Sequence, residues 1–328
     1  MGAFVKTAVI GTMAATAFAG FALAEDATSD DAPRYSVTAL AYNDFFGDGK
    51  DRYLTGGVQA TFAARQSDLF NEPLIGGDSY LIIQGGGRSY TPADISARNP
   101  AADDRPYAGY VYGSIGVARV TGADDALTQT TAQLEIGATG PMLGFEGIQN
   151  DIHDMMSLPK ARGWDTEIGN EIYATVRAER MWRRFGSVGV YETEFAPFAR
   201  VDVGMAENSA TLGVEVAVGD RLGRGLKVRE SALGASYAAI RTPDQDTAWR
   251  MYAGGDVKVV ATDAVLDGGF FRDGRSVAKT TFRYRARAGF DIATGPVTIG
   301  YGVHLLGPEF EAQDDPQLVG AFTLTVRF

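Results

Sequence analysis

Apolar and polar residues alternate one by one in twelve segments of the chain, the last of which runs to Phe328. A period of two puts one class of side chain on each face of a strand, and a chain built of little else has to close its sheet to remove the edges. At the C-terminal end Leu318, Gly320, Phe322, Leu324, Val326 and Phe328 share one face, while Gln317, Val319, Ala321, Thr323, Thr325 and Arg327 share the other, mostly polar one. The pattern predicts strands over 36–46, 53–64, 80–90, 109–120, 128–139, 171–182, 188–204, 210–219, 247–260, 281–292, 297–306 and 317–328. These lengths suit tilted strands crossing an outer membrane, so the expected fold class is all-β, a transmembrane antiparallel β-barrel of twelve strands. The connection over 224–246 includes 231–240, which reads as a further strand and would break the even count expected of a bacterial barrel.

Parity assigns the two faces. Phe282, Tyr284, Ala286, Ala288, Phe290 and Ile292 are expected to face lipid, with Arg283, Arg285, Arg287 and Asp291 in the lumen. Glu192, Glu194, Arg200 and Asp202 share one face, as do Arg250, Asp256 and Lys258, and charges of both signs can pair across an interior. That favours a lumen plugged by salt bridges over a conducting pore.

The first 24 residues depart from this pattern, with a positive charge at Lys6, an apolar run from Ala8 to Leu23 and the small-x-small sequence Ala22-Leu23-Ala24. They read as a secretory signal peptide over 1–24, leaving 25–328 as the barrel. No later stretch approaches the roughly 20 apolar residues of a membrane helix. The chain has no cysteine, so an exported protein of this kind holds together by hydrogen-bonded strands. Its 41 carboxylates against 30 Lys plus Arg argue against nucleic acid as a partner and suit a surface that binds divalent cations.

With a periplasmic N-terminus, every connection from an odd to an even strand lies on the outer side. Three of these carry dense polar motifs: the turn after Tyr42-Asn43-Asp44, the segment 90–107 with Arg98, and a 30-residue excursion after the fifth strand. The excursion contains the one convincing helix, over 144–156, on which Gln149, Asn150 and His153 project from nearly one face. A histidine on a short polar helix at a membrane rim is a candidate general base, although a lone histidine is more often structural. The other histidine, His304, points into the lumen by parity and reads as a satisfied interior residue. Across the rim, Asn43 and Asp44, with Thr55 at the top of the next strand, offer oxygens to a hard cation such as Ca²⁺, while as an isolated pair they are ordinary turn formers.

These segments resemble a known family. Tyr42-Asn43-Asp44, Asp51-Arg52-Tyr53-Leu54-Thr55-Gly56-Gly57, Asp104-Arg105-Pro106-Tyr107-Ala108-Gly109, Gly140-Pro141, Ile148-Gln149-Asn150-Asp151-Ile152-His153 and PKARGWD over 159–165 are similar, in order, to signatures of the outer-membrane lipid A 3′-O-deacylases. The resemblance implies a twelve-stranded barrel with a short helix in an extracellular loop and a Ca²⁺-dependent site at the extracellular rim. It also implies an esterase that removes the 3′-linked acyloxyacyl group from lipid A or lipopolysaccharide among the lipids of the outer membrane. Carried over residue by residue, the catalytic positions fall on Asn43, Asp44, Thr55 and His153, with Asn43 and Asp44 also toward the metal. Arg98, Gln149 and Asn150 fall toward the substrate. Where a lysine can precede that arginine in the family, Ala97 stands here, a departure at the contact to the phosphorylated headgroup.

In the reading this supports, His153 activates water and no side-chain nucleophile is needed. Two alternatives belong to other classes. A serine-dependent outer-membrane phospholipase would need a serine beside its histidine, and no His-x-Ser arrangement occurs. A catalytically silent structural or transport barrel would keep the alternation and could lose Asn43, Asp44, Thr55 or His153, all of which are present. Oligomeric state leaves no trace in the pattern.

Overall fold

A computed structural model describes residues 34–240, 247–272 and 274–328; the segment read as a signal peptide lies outside them. Twelve antiparallel strands close into a barrel. In chain order the strands are β1 (Tyr35–Asn43), β2 (Tyr53–Arg65), β3 (Asp78–Thr91), β4 (Ala108–Ala123), β5 (Ala126–Thr139), β6 (Glu171–Val188), β7 (Tyr191–Gly204), β8 (Glu207–Asp220), β9 (Lys227–Arg229), β10 (Ser236–Ala238), β11 (Thr247–Asp263), β12 (Phe282–Thr294), β13 (Val297–Leu306) and β14 (Gln317–Arg327). Sequential wall strands are neighbours, β8 pairs with β11, and β14 returns to β1 with Ser36 opposite Arg327. Closure leaves no unpaired edge, which is what lets a sheet stand in hydrocarbon.

The predicted strands match these with two local differences. The first ends at Asn43 rather than 46, because the Asn43 side chain accepts the Phe45 amide hydrogen and caps a 3₁₀ turn over Asp44–Phe46. The sixth continues to Val188 and the seventh begins at Tyr191, separated by a two-residue turn in which Gly189 takes φ 61°.

The expected alternation holds on the wall. On β12, Phe282 is 75% exposed, whereas Arg283 and Arg287 are buried in the lumen. The connection after β8 resolves the strand count: 231–240 adds nothing to the wall. Instead β9 and β10 form a two-stranded hairpin inside the barrel. Lys227 donates to Glu194 at 2.7 Å and to Glu215 at 3.3 Å. Arg183 grips the carbonyls of Gly223 and Gly225, and Arg285 those of Ser231 and Ala232 at the hairpin tip. Leu233 at that tip belongs to a cluster with Leu40, Tyr42 and Tyr90. Around the hairpin, Arg177 bridges Glu135 and Asp202, and Arg285 and Arg287 both reach Asp256 at 2.8 Å. A buried charge survives only when paired, so this polar interior is a connected structural plug. His304 is buried in the lumen, as its parity implies.

Candidate active site

The β1–β2 turn, the 92–107 loop and the 140–170 excursion gather at the barrel end away from the chain termini. The loop helix, Phe145–Met156, begins after Gly144 in the left-handed region and ends at Ser157, also left-handed. It lies against the outside of the wall, because the Phe145 ring fills the space above Gly109 and reaches Gly87. Gly109 on β4 is therefore what lets a helix sit this close to the sheet.

The segment following the helix folds back on it. Asn150 clasps the backbone of Ala161 with both ends of its amide, at 3.1 and 2.9 Å. Trp164 packs on Tyr107 with ring centroids 4.8 Å apart and donates its indole hydrogen to Gln149 Oε1 at 2.8 Å. Most of the motif over 159–165 thus orients the helix. Asp104-Arg105-Pro106-Tyr107 does the same for the 92–107 loop: Arg105 stacks over Tyr90 and pairs with Glu309. Burial opposes ionisation of Glu309, but Arg105 and Arg283 outweigh it and hold its carboxyl down at about 2.

Between the helix and the outward faces of β1, β2 and β3 is a cavity of about 190 Å³. Ala41, Val58, Gly87, Phe145, Ile148 and Ile152 supply apolar lining, and Tyr42, Asn43, Thr55, Arg88, Ser89, Gln149 and His153 supply polar atoms. Four of the seven residues singled out in the sequence therefore share one cavity. The other three do not line it: Asp44 is buried beneath the turn, Asn150 clasps Ala161, and Arg98 is exposed on its loop. Thr55 sits at a bulge in the β2–β3 ladder, its hydroxyl 2.6 Å from that of Thr91.

One partner was not legible from residue types. Asp51, at φ 47°, places its Oδ2 3.1 Å from His153 Nε2. On the other side of the ring His153 Nδ1 contacts the Pro159 carbonyl. Burial pushes the Asp51 carboxyl up, and the facing imidazole pulls it back down. The available signal was an aspartate in a non-glycine left-handed position, which cannot be read from sequence alone. Gln317, from β14, was missed likewise; its amide grips the backbone of Arg52 and Leu54 and so anchors the turn.

Asp44 bears on a divalent cation. Its Oδ2 accepts the Arg52 amide hydrogen at 2.6 Å, while Oδ1 is buried with no hydrogen-bond partner. Burial first, then the like charges of Asp51 and Asp48, push this carboxyl up to about 8. An orphaned carboxylate oxygen in an acidic turn fits a hard cation. Asn43 Oδ1 is held by the Phe45 amide. Among the described residues no group of three or more His, Asp or Glu is set to hold a metal, so the remaining oxygens would come from backbone carbonyls, amides and water.

A closed twelve-stranded antiparallel barrel with apolar side chains outward and paired charges inward defines an outer-membrane β-barrel protein. Residues 9–328 match the model of a family described as outer membrane protein LpxR, and the chain belongs to that family, the lipid A 3′-O-deacylases its motifs resemble. Among solved structures it is similar to LpxR from Salmonella typhimurium, at 18% identity and a TM-score of 0.75 over 89% of this chain and 100% of that one. It is more distantly similar to the β domain of the Bordetella autotransporter Brka, with 9% identity and a TM-score of 0.44, over 91% of this chain and 100% of that one. The translocator domain of NalP from Neisseria meningitidis follows, at 12% identity and 0.40 over 98% of both chains. No curated protein matches the chain.

Proposed function

We propose that this protein is a Ca²⁺-dependent esterase that removes the 3′-linked acyloxyacyl group from lipid A at the extracellular rim of the barrel. The observation that carries the reading is the cavity, whose lining brings His153, Gln149, Thr55 and Asn43 together with apolar side chains of the loop helix and of the outward faces of β1 and β2. A lipid in the outer leaflet carries its ester at the depth of the rim and its chains beside the wall, so the ester reaches these polar groups without leaving the bilayer.

His153 is the group that takes the proton from the attacking water. Gln149, held by Trp164, and the Pro159 carbonyl fix the helix side of the site. Thr55, braced by Thr91, presents a hydroxyl to water or substrate. Asp44 would hold the cation with oxygens of its own turn, and such an ion would supply positive charge to stabilise a developing oxyanion. The excess of acid in that turn, Asp44, Asp48 and Asp51, supports this assignment. The serine-dependent alternative fares worse, since Ser89 lines the same cavity without a hydrogen bond to His153, and His304 lies in the lumen.

The test is mass spectrometry of lipid A incubated with the refolded barrel, in Ca²⁺ and in chelator. Calcium-dependent loss of one acyloxyacyl unit from the 3′ position, abolished in a folded His153→Ala variant, is expected. Full activity in that variant removes His153 from the reaction, and no cleavage by a folded wild-type barrel overturns the reading.

A further inference from the structure

Charge on the lipid-facing side of the wall is confined to one patch. Among the described residues, the charged side chains of outward parity on the wall strands are Arg119 on β4, Arg180 and Arg184 on β6, and Asp220, which ends β8 and pairs with Arg221. The three arginines are neighbours. Arg119 and Arg180 stand opposite Thr130 of β5, one from each side, and Arg184 is further along β6. All three are exposed, and none pairs with a carboxylate among the described residues. The patch is on the half of the wall nearer the chain termini and the short turns, which is the periplasmic half of such a barrel. Two of the arginine heads turn toward that end. Arg180 folds back over Trp182, its guanidinium carbon 5.8 Å from the ring centroid, and the Arg119 guanidinium lies 3.3 Å from where a Cβ would stand on Gly77, just before β3. A tryptophan on the outward face marks the depth at which hydrocarbon meets headgroups. Arg180 is rooted nearer the midplane than Trp182 and reaches back to that level, as a long cationic side chain does.

We propose that the row Arg119–Thr130–Arg180 binds the phosphate of an anionic phospholipid in the periplasmic leaflet. A charge on the lipid face is tolerated where it reaches the interface or meets a counter-charge, and this patch carries one sign only. Lipid phosphates lie at the level to which these side chains turn. Neighbouring strands are about 4.8 Å apart, so the backbones of Arg119 and Arg180 stand about 10 Å from each other. Two long side chains rooted at that spacing can converge on one phosphate over the Thr130 hydroxyl, and guanidinium and phosphate pair through charge-assisted, two-pronged hydrogen bonds. Arg184 meets the headgroup from the aqueous side. Further up β5, the exposed side chains of Leu134 and Ile136 give the acyl chains an apolar wall to lie against. The patch is at the opposite end of the wall from the rim cavity, and its occupant is independent of the chemistry there.

The test titrates the detergent-folded full chain with phosphatidylglycerol and counts bound lipid by native mass spectrometry, with heat-modifiable migration on gels verifying that each variant is folded. Arg119→Gln and Arg180→Gln are each expected to weaken retention by about fivefold, and the double variant by about 10- to 30-fold. The single variants decide the matter if the double one does not fold. Phosphatidylcholine, whose headgroup has no net charge, is expected to be held more weakly than phosphatidylglycerol, and inorganic phosphate is expected not to displace the lipid. Undiminished retention in the folded variants, or equal retention of phosphatidylcholine, overturns the proposal. Displacement by inorganic phosphate at equal concentration marks a plain anion site and overturns the assignment to a lipid.

Discussion

The Phe145 ring occupies the space that a side chain on Gly109 would need: a Cβ there would lie 2.1 Å from the ring. The helix that carries Gln149 and His153 is thus seated on the wall through one glycine. Gly109→Ala is expected to lift the N-terminal turn of the helix, at a cost of about 1–3 kcal/mol in packing, and to remove most of the activity while the barrel still folds. Lipid A turnover together with heat-modifiable migration on gels checks both halves, and unchanged turnover would detach the helix position from function.

Cation binding at Asp44 should depend on pH in a defined direction. With its carboxyl raised to about 8, the cation has to displace a proton at neutral pH. Ca²⁺ affinity is expected to strengthen by up to about tenfold per unit between pH 6 and 8 and to level off above, with proton release on binding. Calorimetry in buffers of different ionisation heat measures this. Asp44→Asn should weaken binding and flatten its pH dependence.

Glu167 reaches over to the Gly109 amide, which donates to its Oε1 at 3.0 Å. Burial, reinforced by Glu146, pushes its carboxyl up to about 7 despite that hydrogen bond. A carboxyl raised on folding favours the folded state when protonated, so its contribution is largest at acid pH and is lost as pH rises toward 7. Glu167→Gln keeps the acceptor without the charge. It is expected to raise stability by about 1–3 kcal/mol at pH 8 and to change nothing at pH 4, read as the shift in Tm.

Lys227 in the luminal hairpin stands between Glu194 and Glu215. Lys227→Met leaves two buried carboxylates short of a partner, an expected loss of about 3–5 kcal/mol. The variant should lose resistance to heat and detergent, and hydrogen exchange should show its hairpin amides opening before the wall.

The wall was readable because lipid on one side and a polar lumen on the other enforce a period of two, and a register slip would put Arg283 and Arg287 into hydrocarbon. The hairpin was not, because β9 and β10 are short and buried on all sides, so 231–240 carries no face to alternate. In the site, residue types along the chain exposed His153, Gln149, Asn43 and Thr55. They did not expose Asp51, whose contact with His153 comes from a left-handed backbone position and a neighbour 102 positions away in the sequence. Asn150 shares the helix with His153 yet turns to Ala161, a distinction set by where the chain returns after Ser157.

With residues 221–240 of the β8–β11 connection folded into the bore, the barrel is expected to be electrically silent. Wide barrels leak in proportion to their number, whereas a protein whose interior is crossed by paired charges and a folded hairpin adds wall surface to the membrane without adding a wide path for ions or nutrients. A cell can therefore carry this one at whatever copy number its surface lipids require and leave the permeability of its envelope to other proteins.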